Sequence, residues 1–318
     1  MNNLPKKFVL INSRAGFGNK IFDLIVALYI KFNYNYNIYF YDSESTHTKE
    51  GDPNLNDIFP NIKDLINFIT KEKSYFMRNY IDFEIKDNVA NLNDFKKLLK
   101  DKNYIRPHLL YNFVFEMYES FDDKYKSYFI INNKLIDENL NSYIKTKYAI
   151  IHIRYGDKIK ESIKRHKKDS TFISFPIYTP QYYYEQILNI KRLNIPIIIL
   201  TDSINLVRKF IINHYNLQND NDIFMPDINF INSFYILQNS SYCVLSHSTF
   251  SYAAFLLAND HLKKIYIFCL TNKYKFYKPL PYDLFIHKKW IIIDNNKFIL
   301  NFNQKLLKEM KKYINLNK

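Results

Sequence analysis

Beyond residue 147 the chain alternates short apolar, β-branched runs with longer stretches of helical period, and nothing else in it restricts the fold as strongly. Strands are expected over 148–154, 195–201, 223–225, 242–246 and 264–270. Helices are expected over Pro180–Lys191, 204–215, 230–240 and 250–259. A proline in the first turn of Pro180–Lys191 suits a helix start, where the missing N–H is not needed. These strands are apolar along their whole length instead of at every second residue, so both faces must be covered, and short strands alternating with helices give a parallel sheet between two helical layers. A last helix, 304–314, is expected to strap across this layer structure.

The first half shows the same rhythm less clearly. Strand Phe8–Ser13, helix 20–31 and strand Asn37–Asp42 open it. Residues 43–120 mix short helices such as 92–101 with polar loops that periodicity does not order, and a helix over 133–144 leads into the strand at 148. The fresh series beginning there places a domain boundary near 146, giving domains 1–145 and 146–318. A chain of 318 residues suits two such domains. With 47% hydrophobic and 18% aromatic residues it is far from the composition of a disordered chain.

The formal charge of +14 raises the question of nucleic-acid binding. Its lysines are dispersed, however, as at Lys96, Lys97, Lys100 and Lys102, and read as solvated helix faces, so no nucleic-acid partner is expected. Cys243 and Cys269 each lie in an apolar run and are expected as reduced core thiols, neither a disulfide framework nor a metal pair. Residues 1–10 lack a signal-peptide apolar run, and no stretch of about 18 apolar residues occurs. A soluble, cytoplasmic protein is the expectation.

In open parallel sheets ligands bind outside the carboxyl ends of the strands, so the polar residues that follow strands come first. Gly16, Gly18 and Asn19 follow the first strand and open a helix; two of the four glycines in the chain stand here, where backbone N–H groups and a helix N-terminus suit an anion or a sugar. His152-Ile153-Arg154-Tyr155-Gly156-Asp157 ends the strand at 148–154. Alternation puts His152 and Arg154 on one face, Gly156 lets the chain turn, Arg154 offers a bidentate fork to a diphosphate and Asp157 orients it. Asp202 and Ser203 stand where a strand passes into a helix and serve equally as a cap or as ligand contacts. Ser246, His247, Ser248, Thr249, Phe250 and Ser251 carry more hydroxyls than one helix cap needs, leaving the surplus for phosphate or ribose.

Taken in order, these segments resemble the α-1,2-fucosyltransferases and the wider fucosyltransferase superfamily that includes the protein O-fucosyltransferases. Gly16 to Phe22 looks like that family's GGLGNQMF start, His152 to Asp157 like its HxRRGD motif, Tyr182-Tyr183-Tyr184 like its DYY stretch and Ser246 to Ser251 like its SNSSFSWW segment. Asp202 falls where the family has an acidic pair. Departures are Lys20 for glutamine, Tyr155 for the second arginine, His247 for asparagine, and Tyr252 and Ala253 for the tryptophan pair.

The resemblance implies a GT-B fold, an α/β architecture of two Rossmann-like domains facing a central cleft. It implies GDP-fucose as donor, held mainly by the C-terminal domain with the acceptor on the N-terminal side, and transfer with inversion and no metal or other cofactor. The family's phosphate-binding arginine falls on Arg154; His152 and Asp157 join it as catalytic candidates, with Asp23 as a further carboxylate to test. Two other readings stay open. A metal-dependent GT-A transferase using another nucleotide sugar would draw on Asp42 and Glu44, or less plausibly on Asp220 and Asp222. A non-catalytic sugar- or nucleotide-binding module would keep the fold without the chemistry.

Overall fold

The structure is a computed structural model that describes residues 8–13, 16–42, 52–78, 84–85, 92–99, 104–105, 113–140, 147–166, 177–258, 264–268, 290–293 and 303–316. The chain separates into two compact units, Met1–Leu135 and Ile136–Lys318.

In the first unit, β1 (Phe8–Ser13) is followed by α1 (Phe17–Tyr34) and β2 (Asn37–Asp42), which pairs with β1 in parallel from Phe8 opposite Asn37 to Ser13 opposite Asp42. The described sheet adds β3 (Ile66–Phe68), β4 (Glu84–Ile85) and β5 (Tyr104–Ile105) in the order β3-β2-β1-β5-β4, all parallel. Short helices α2 (Leu55–Ile58), α3 (Lys71–Arg78), α4 (Leu92–Leu99) and α5 (Val114–Glu119) occupy the region that periodicity left unordered, and α6 (Asp123–Lys126) follows it. Apart from α4, which falls within the expected helix 92–101, these elements of two to eight residues carry too few repeats of either period to register. From Lys20 to Ile30 every residue of α1 is buried, as in a helix covered on all sides. Asn35 ends it in the left-handed region at φ 52°, its N–H donating to the Lys31 carbonyl at 3.0 Å.

No helix forms over the described part of 133–144; Asn133–Leu135 and Glu138–Leu140 are single 3-10 turns. The Asn132 and Asp137 side chains accept the N–H groups of Lys134 (3.1 Å) and Asn139 (2.9 Å), and these local bonds compete with helix propagation.

The second unit begins its sheet with β6 (Ala149–Ile153), buried at all five residues. Helix α7 (Gly156–His166) and α8 (Pro180–Lys191) precede β7 (Ile197–Thr201). The Thr179 hydroxyl caps α8 by accepting the Tyr182 N–H at 3.2 Å. Next come α9 (Ile204–Val207), continuing as a π-helical turn over Arg208–Asn213, then β8 (Ile223–Phe224) and α10 (Phe230–Gln238). Strand β9 (Tyr242–Leu245), α11 (Thr249–Leu256), β10 (Lys264–Phe268), β11 (Trp290–Ile293) and α12 (Gln304–Leu316) complete the unit. All strands are parallel, in the order β11-β10-β9-β6-β7-β8. The chain therefore winds outward from β6 in one direction through β7 and β8 and in the other through β9, so the order reverses between β6 and β9.

Sequence patterning missed α7, whose mean hydropathy is low although Ile159 and Ile163, one turn apart, are both buried. The core of this unit is rich in tyrosine: Tyr155, Tyr178, Tyr182 and Tyr183 pack with Ile151, Ile153, Ile199 and Val244. A buried phenol requires a partner for its hydroxyl. Tyr155 donates to the Tyr178 carbonyl at 3.1 Å, and Tyr148 to the Ile236 carbonyl at 2.8 Å. Helix α12 contributes Leu307 and Met310, fully buried, to the same core, and its Tyr313 is edge-on to Phe210. Cys243 is a buried thiol 2.7 Å from the Ser240 hydroxyl, its pKa pushed up to about 12 by burial. Cys269 lies outside the described residues.

Candidate functional site

A strand pair at which sheet order reverses leaves a crevice at its carboxyl end, because the two connections depart to opposite sides. In the second unit that pair is β6 and β9, and the two densest sequence motifs follow those two strands.

The Arg154 guanidinium links them. Its Nε and Nη2 donate to the two carboxylate oxygens of Asp157, each at 3.3 Å, and its Nη1 donates to the Ser248 hydroxyl at 3.0 Å. A guanidinium has five N–H groups, so one on each Nη is left uncommitted among the described residues. The side chain is 22% exposed. Three N–H groups of this planar cation are thus held by Asp157 and Ser248, and the remaining two are available as donors of the kind that bind phosphate oxygens.

Asp157 lies in the first turn of α7, where a carboxylate also complements the helix dipole. Burial opposes its charge, but Arg154 and Lys158 outweigh burial and hold its pKa below the ordinary carboxylate value. Lys158 Nζ stands 3.4 Å from Asp157 and 3.0 Å from Glu161. A carboxylate so committed is an orienting group and a poor proton acceptor.

His152 is buried on β6, with Nδ1 2.7 Å from the Ser246 hydroxyl and its ring 5.7 Å from that of Phe250. Burial, reinforced by the Arg154 charge, lowers its pKa to about 3, so the imidazole is neutral at any ordinary pH and ties the end of β6 to the start of the serine-rich loop.

That loop is built to present Ser248. Ser248 stands at the N-cap of α11 but makes no side-chain cap bond; its hydroxyl is turned to Arg154. The Ser251 hydroxyl instead closes the turn, within reach of the Ser246 and Ser248 carbonyls at 3.1 and 3.0 Å. His247 Nδ1 is 2.8 Å from the Tyr252 hydroxyl, so two residues that depart from the resembled family pattern are bonded to each other. Thr249 and Phe250 are half-buried at the start of α11, Phe250 also edge-on to Phe234.

Asp202 follows β7, beside β6. Its Oδ1 accepts the N–H groups of Tyr155 (3.0 Å) and Gly156 (3.1 Å) and the Ser203 hydroxyl (3.0 Å). Asp202 is an exposed residue, yet desolvation by the protein beside it raises the carboxyl pKa against the lowering pull of the two N–H groups, Arg154 and the Ser203 hydroxyl. Tyr155, where the resembled family has a second arginine, is fully buried and points into the core.

No protein-family model matches the chain, and no curated protein sequence matches it. Among solved structures it is similar to fucosyltransferase NodZ from Bradyrhizobium, at 13% identity and a TM-score of 0.45 over 82% of this chain and 95% of that one. It is also similar to the E. coli ADP-heptose LPS heptosyltransferase II, at 9% identity and a TM-score of 0.47 over 98% and 99%. A glycosyl transferase family 9 protein from Veillonella parvula gives 9% identity and a TM-score of 0.48 over 96% and 90%.

In the first unit Gly16 is the N-cap of α1 in extended conformation, its carbonyl accepting the N–H groups of Asn19 (2.9 Å) and Lys20 (3.2 Å). Gly18 is buried and Asn19 half-buried in the first turn; Asp23 is buried one turn on. Lys20 forms a contact that sequence reasoning missed: its Nζ is 2.5 Å from Asp42 across the ends of α1 and β2, both side chains 8% exposed. The other Asp42 oxygen accepts the Leu55 N–H at 3.1 Å. The signal available was a lysine where the resembled family has glutamine, in the first turn of a largely apolar helix. Both acidic pairs weighed as metal ligands have a member already engaged, Asp42 by Lys20 and Asp220 by Lys191. Ser43 and Glu44 lie outside the described residues. Among the described residues no cluster of three or more His, Cys, Asp or Glu side chains is arranged to hold a metal, and no helix is long and apolar enough to cross a membrane.

Proposed function

We propose that this chain is a glycosyltransferase of the two-domain GT-B type, taking L-fucose from GDP-fucose and passing it with inversion, and without a metal, to a sugar hydroxyl, as an α-1,2-fucosyltransferase does. The single observation that carries the reading is the Arg154 guanidinium, anchored by Asp157 and Ser248 at the point where sheet order reverses, with two N–H groups not committed to those anchors. In the reaction the acceptor hydroxyl gives its proton up to solvent as its oxygen bonds to the anomeric carbon, the bond from that carbon to the β-phosphate oxygen breaks, and the diphosphate leaves with an added negative charge. A fixed cation at that oxygen lowers the barrier because it needs no reorganisation as the charge develops. Arg154 supplies that cation. Asp157 sets its aim, His152 fixes Ser246, and Ser248 through Ser251 shape the donor side of the pocket.

Motif order over most of the chain supports the donor assignment. The competing metal-dependent reading would have to recruit Asp42 away from Lys20. The test is GDP release from GDP-fucose with and without sugar acceptors, beside other GDP-, UDP- and CMP-sugars, each with and without EDTA. Acceptor-dependent release from GDP-fucose that survives the chelator is expected. Release confined to UDP-sugars, or abolished by EDTA and restored by manganese, overturns the assignment, and binding without release identifies a non-catalytic module.

A further inference from the structure

We propose that Asp202 is a positioning residue for Arg154: it holds the peptide units on which the Arg154–Asp157 pair is mounted and acts on the reaction through them, a role that rests on the glycosyltransferase reading above. The N-cap position of α9 is Ser203, and Asp202 stands one residue before it, where its carboxylate has no capping role to fill. Here the carboxylate turns to the neighbouring strand instead, and its Oδ1 accepts the N–H groups of Tyr155 and Gly156. Arg154 immediately precedes these two residues and Asp157 immediately follows them. A shift of that turn therefore moves both halves of the bidentate pair and with them the uncommitted N–H groups of the guanidinium.

The far side of the turn is fixed independently. The Tyr155 ring is fully buried, and its hydroxyl donates to the Tyr178 carbonyl. The near side is fixed by Asp202, and the approach is close enough that any side chain at residue 156 would displace the Asp202 carboxylate. A Cβ on Gly156 would stand 2.9 Å from Asp202 Oδ2 and 3.1 Å from the Ser203 hydroxyl. The three donors gathered on Oδ1 are the Tyr155 and Gly156 N–H groups and the Ser203 hydroxyl. Two of the three belong to the loop behind Arg154.

The experiment is a double-mutant cycle on the full chain, with kcat, donor KM and thermal unfolding measured for Asp202→Ala, Asp202→Asn, Gly156→Ala and Arg154→Ala, and for the first and third of these combined with Arg154→Ala. Misplacing a group by about 1 Å costs on the order of a hundredfold in rate, so Asp202→Ala and Gly156→Ala are each expected to lower kcat by about ten- to a hundredfold. Asp202→Asn keeps an oxygen that accepts both N–H groups and should stay within about threefold of the parent. In the Arg154→Ala background both losses should shrink to less than about twofold, because residues acting through one group are not additive. Equal losses in both backgrounds, a raised donor KM at unchanged kcat, or Asp202→Asn falling as far as Asp202→Ala would each overturn the proposal while leaving the glycosyltransferase reading in place. Should Asp202→Ala not fold, Gly156→Ala and Asp202→Asn carry the same comparison. A parent that neither turns over a nucleotide sugar nor binds GDP overturns that reading and this role together.

Discussion

Replacing Arg154 by lysine and by alanine separates chemistry from folding. The guanidinium commits three N–H groups to Asp157 and Ser248 and keeps one on each Nη for phosphate oxygens. An ammonium gathers its donors on one atom and cannot span Asp157, Ser248 and two phosphate oxygens together, so Arg154→Lys loses the paired contact although it keeps the charge. Loss of one preorganised donor to a developing oxyanion costs about 3 to 4 kcal/mol, or roughly a hundred- to a thousandfold in turnover, and Arg154→Ala should lose at least as much. The folding cost is much smaller. Asp157 is 40% exposed and retains Lys158 at 3.4 Å, so losing its pairing with Arg154 should cost no more than about 1 kcal/mol. The assay is steady-state GDP release with chemical and thermal unfolding measured on the same preparations. If both variants fold normally and keep more than about a third of parental turnover, well short of the expected loss, Arg154 is not the cation that meets the leaving group.

Two further outcomes concern stability. The folded-state pKa of His152 is lowered to about 3, whereas an exposed histidine titrates near 6.5, so between those values the unfolded chain binds a proton that the folded one refuses. Stability from this group is complete above about pH 6.5 and falls as the pH drops toward 3, by as much as about 5 kcal/mol; urea unfolding of His152→Gln across that range should lose correspondingly less than the parent, and parallel pH profiles would show that His152 is not held neutral. In the first unit, Lys20→Met leaves Asp42 charged and buried, which should cost about 3 to 5 kcal/mol, with part of the loss recovered in Lys20→Met/Asp42→Asn. A single variant within about 0.5 kcal/mol of the parent would mean that water screens the pair.

The second unit was legible where its strands are uninterrupted apolar runs and its helices show their period, and α7 and β11, which were not expected, are the exceptions. Proline even placed the start of Pro180–Lys191. Strand order was not legible: no feature of the local pattern says that β9 returns to lie beside β6, and that neighbour relation joins the Arg154 loop to Ser248. The site residues could therefore be collected as strand-end polar groups, but not their division of labour. His152, Arg154 and Asp157 share one motif, yet burial makes the first a neutral tether, the second remains a cation, and the third is consumed in aiming it. The 133–144 segment failed for the opposite reason, since side-chain bonds from Asn132 and Asp137 decide its conformation and periodicity does not register them.

The central claim, a guanidinium poised for the diphosphate of a GDP-sugar, is tested most directly by ligand-induced shifts in melting temperature for GDP, UDP and CMP at matched concentration, on the parent and on Arg154→Ala. A ligand that binds only the folded state raises its stability by about 2.7 kcal/mol at a hundred times its Kd. The expected result is stabilisation by GDP well beyond that by UDP or CMP, largely lost in Arg154→Ala. Stabilisation by UDP or CMP in place of GDP, or a GDP shift of equal size in the variant, would contradict the claim.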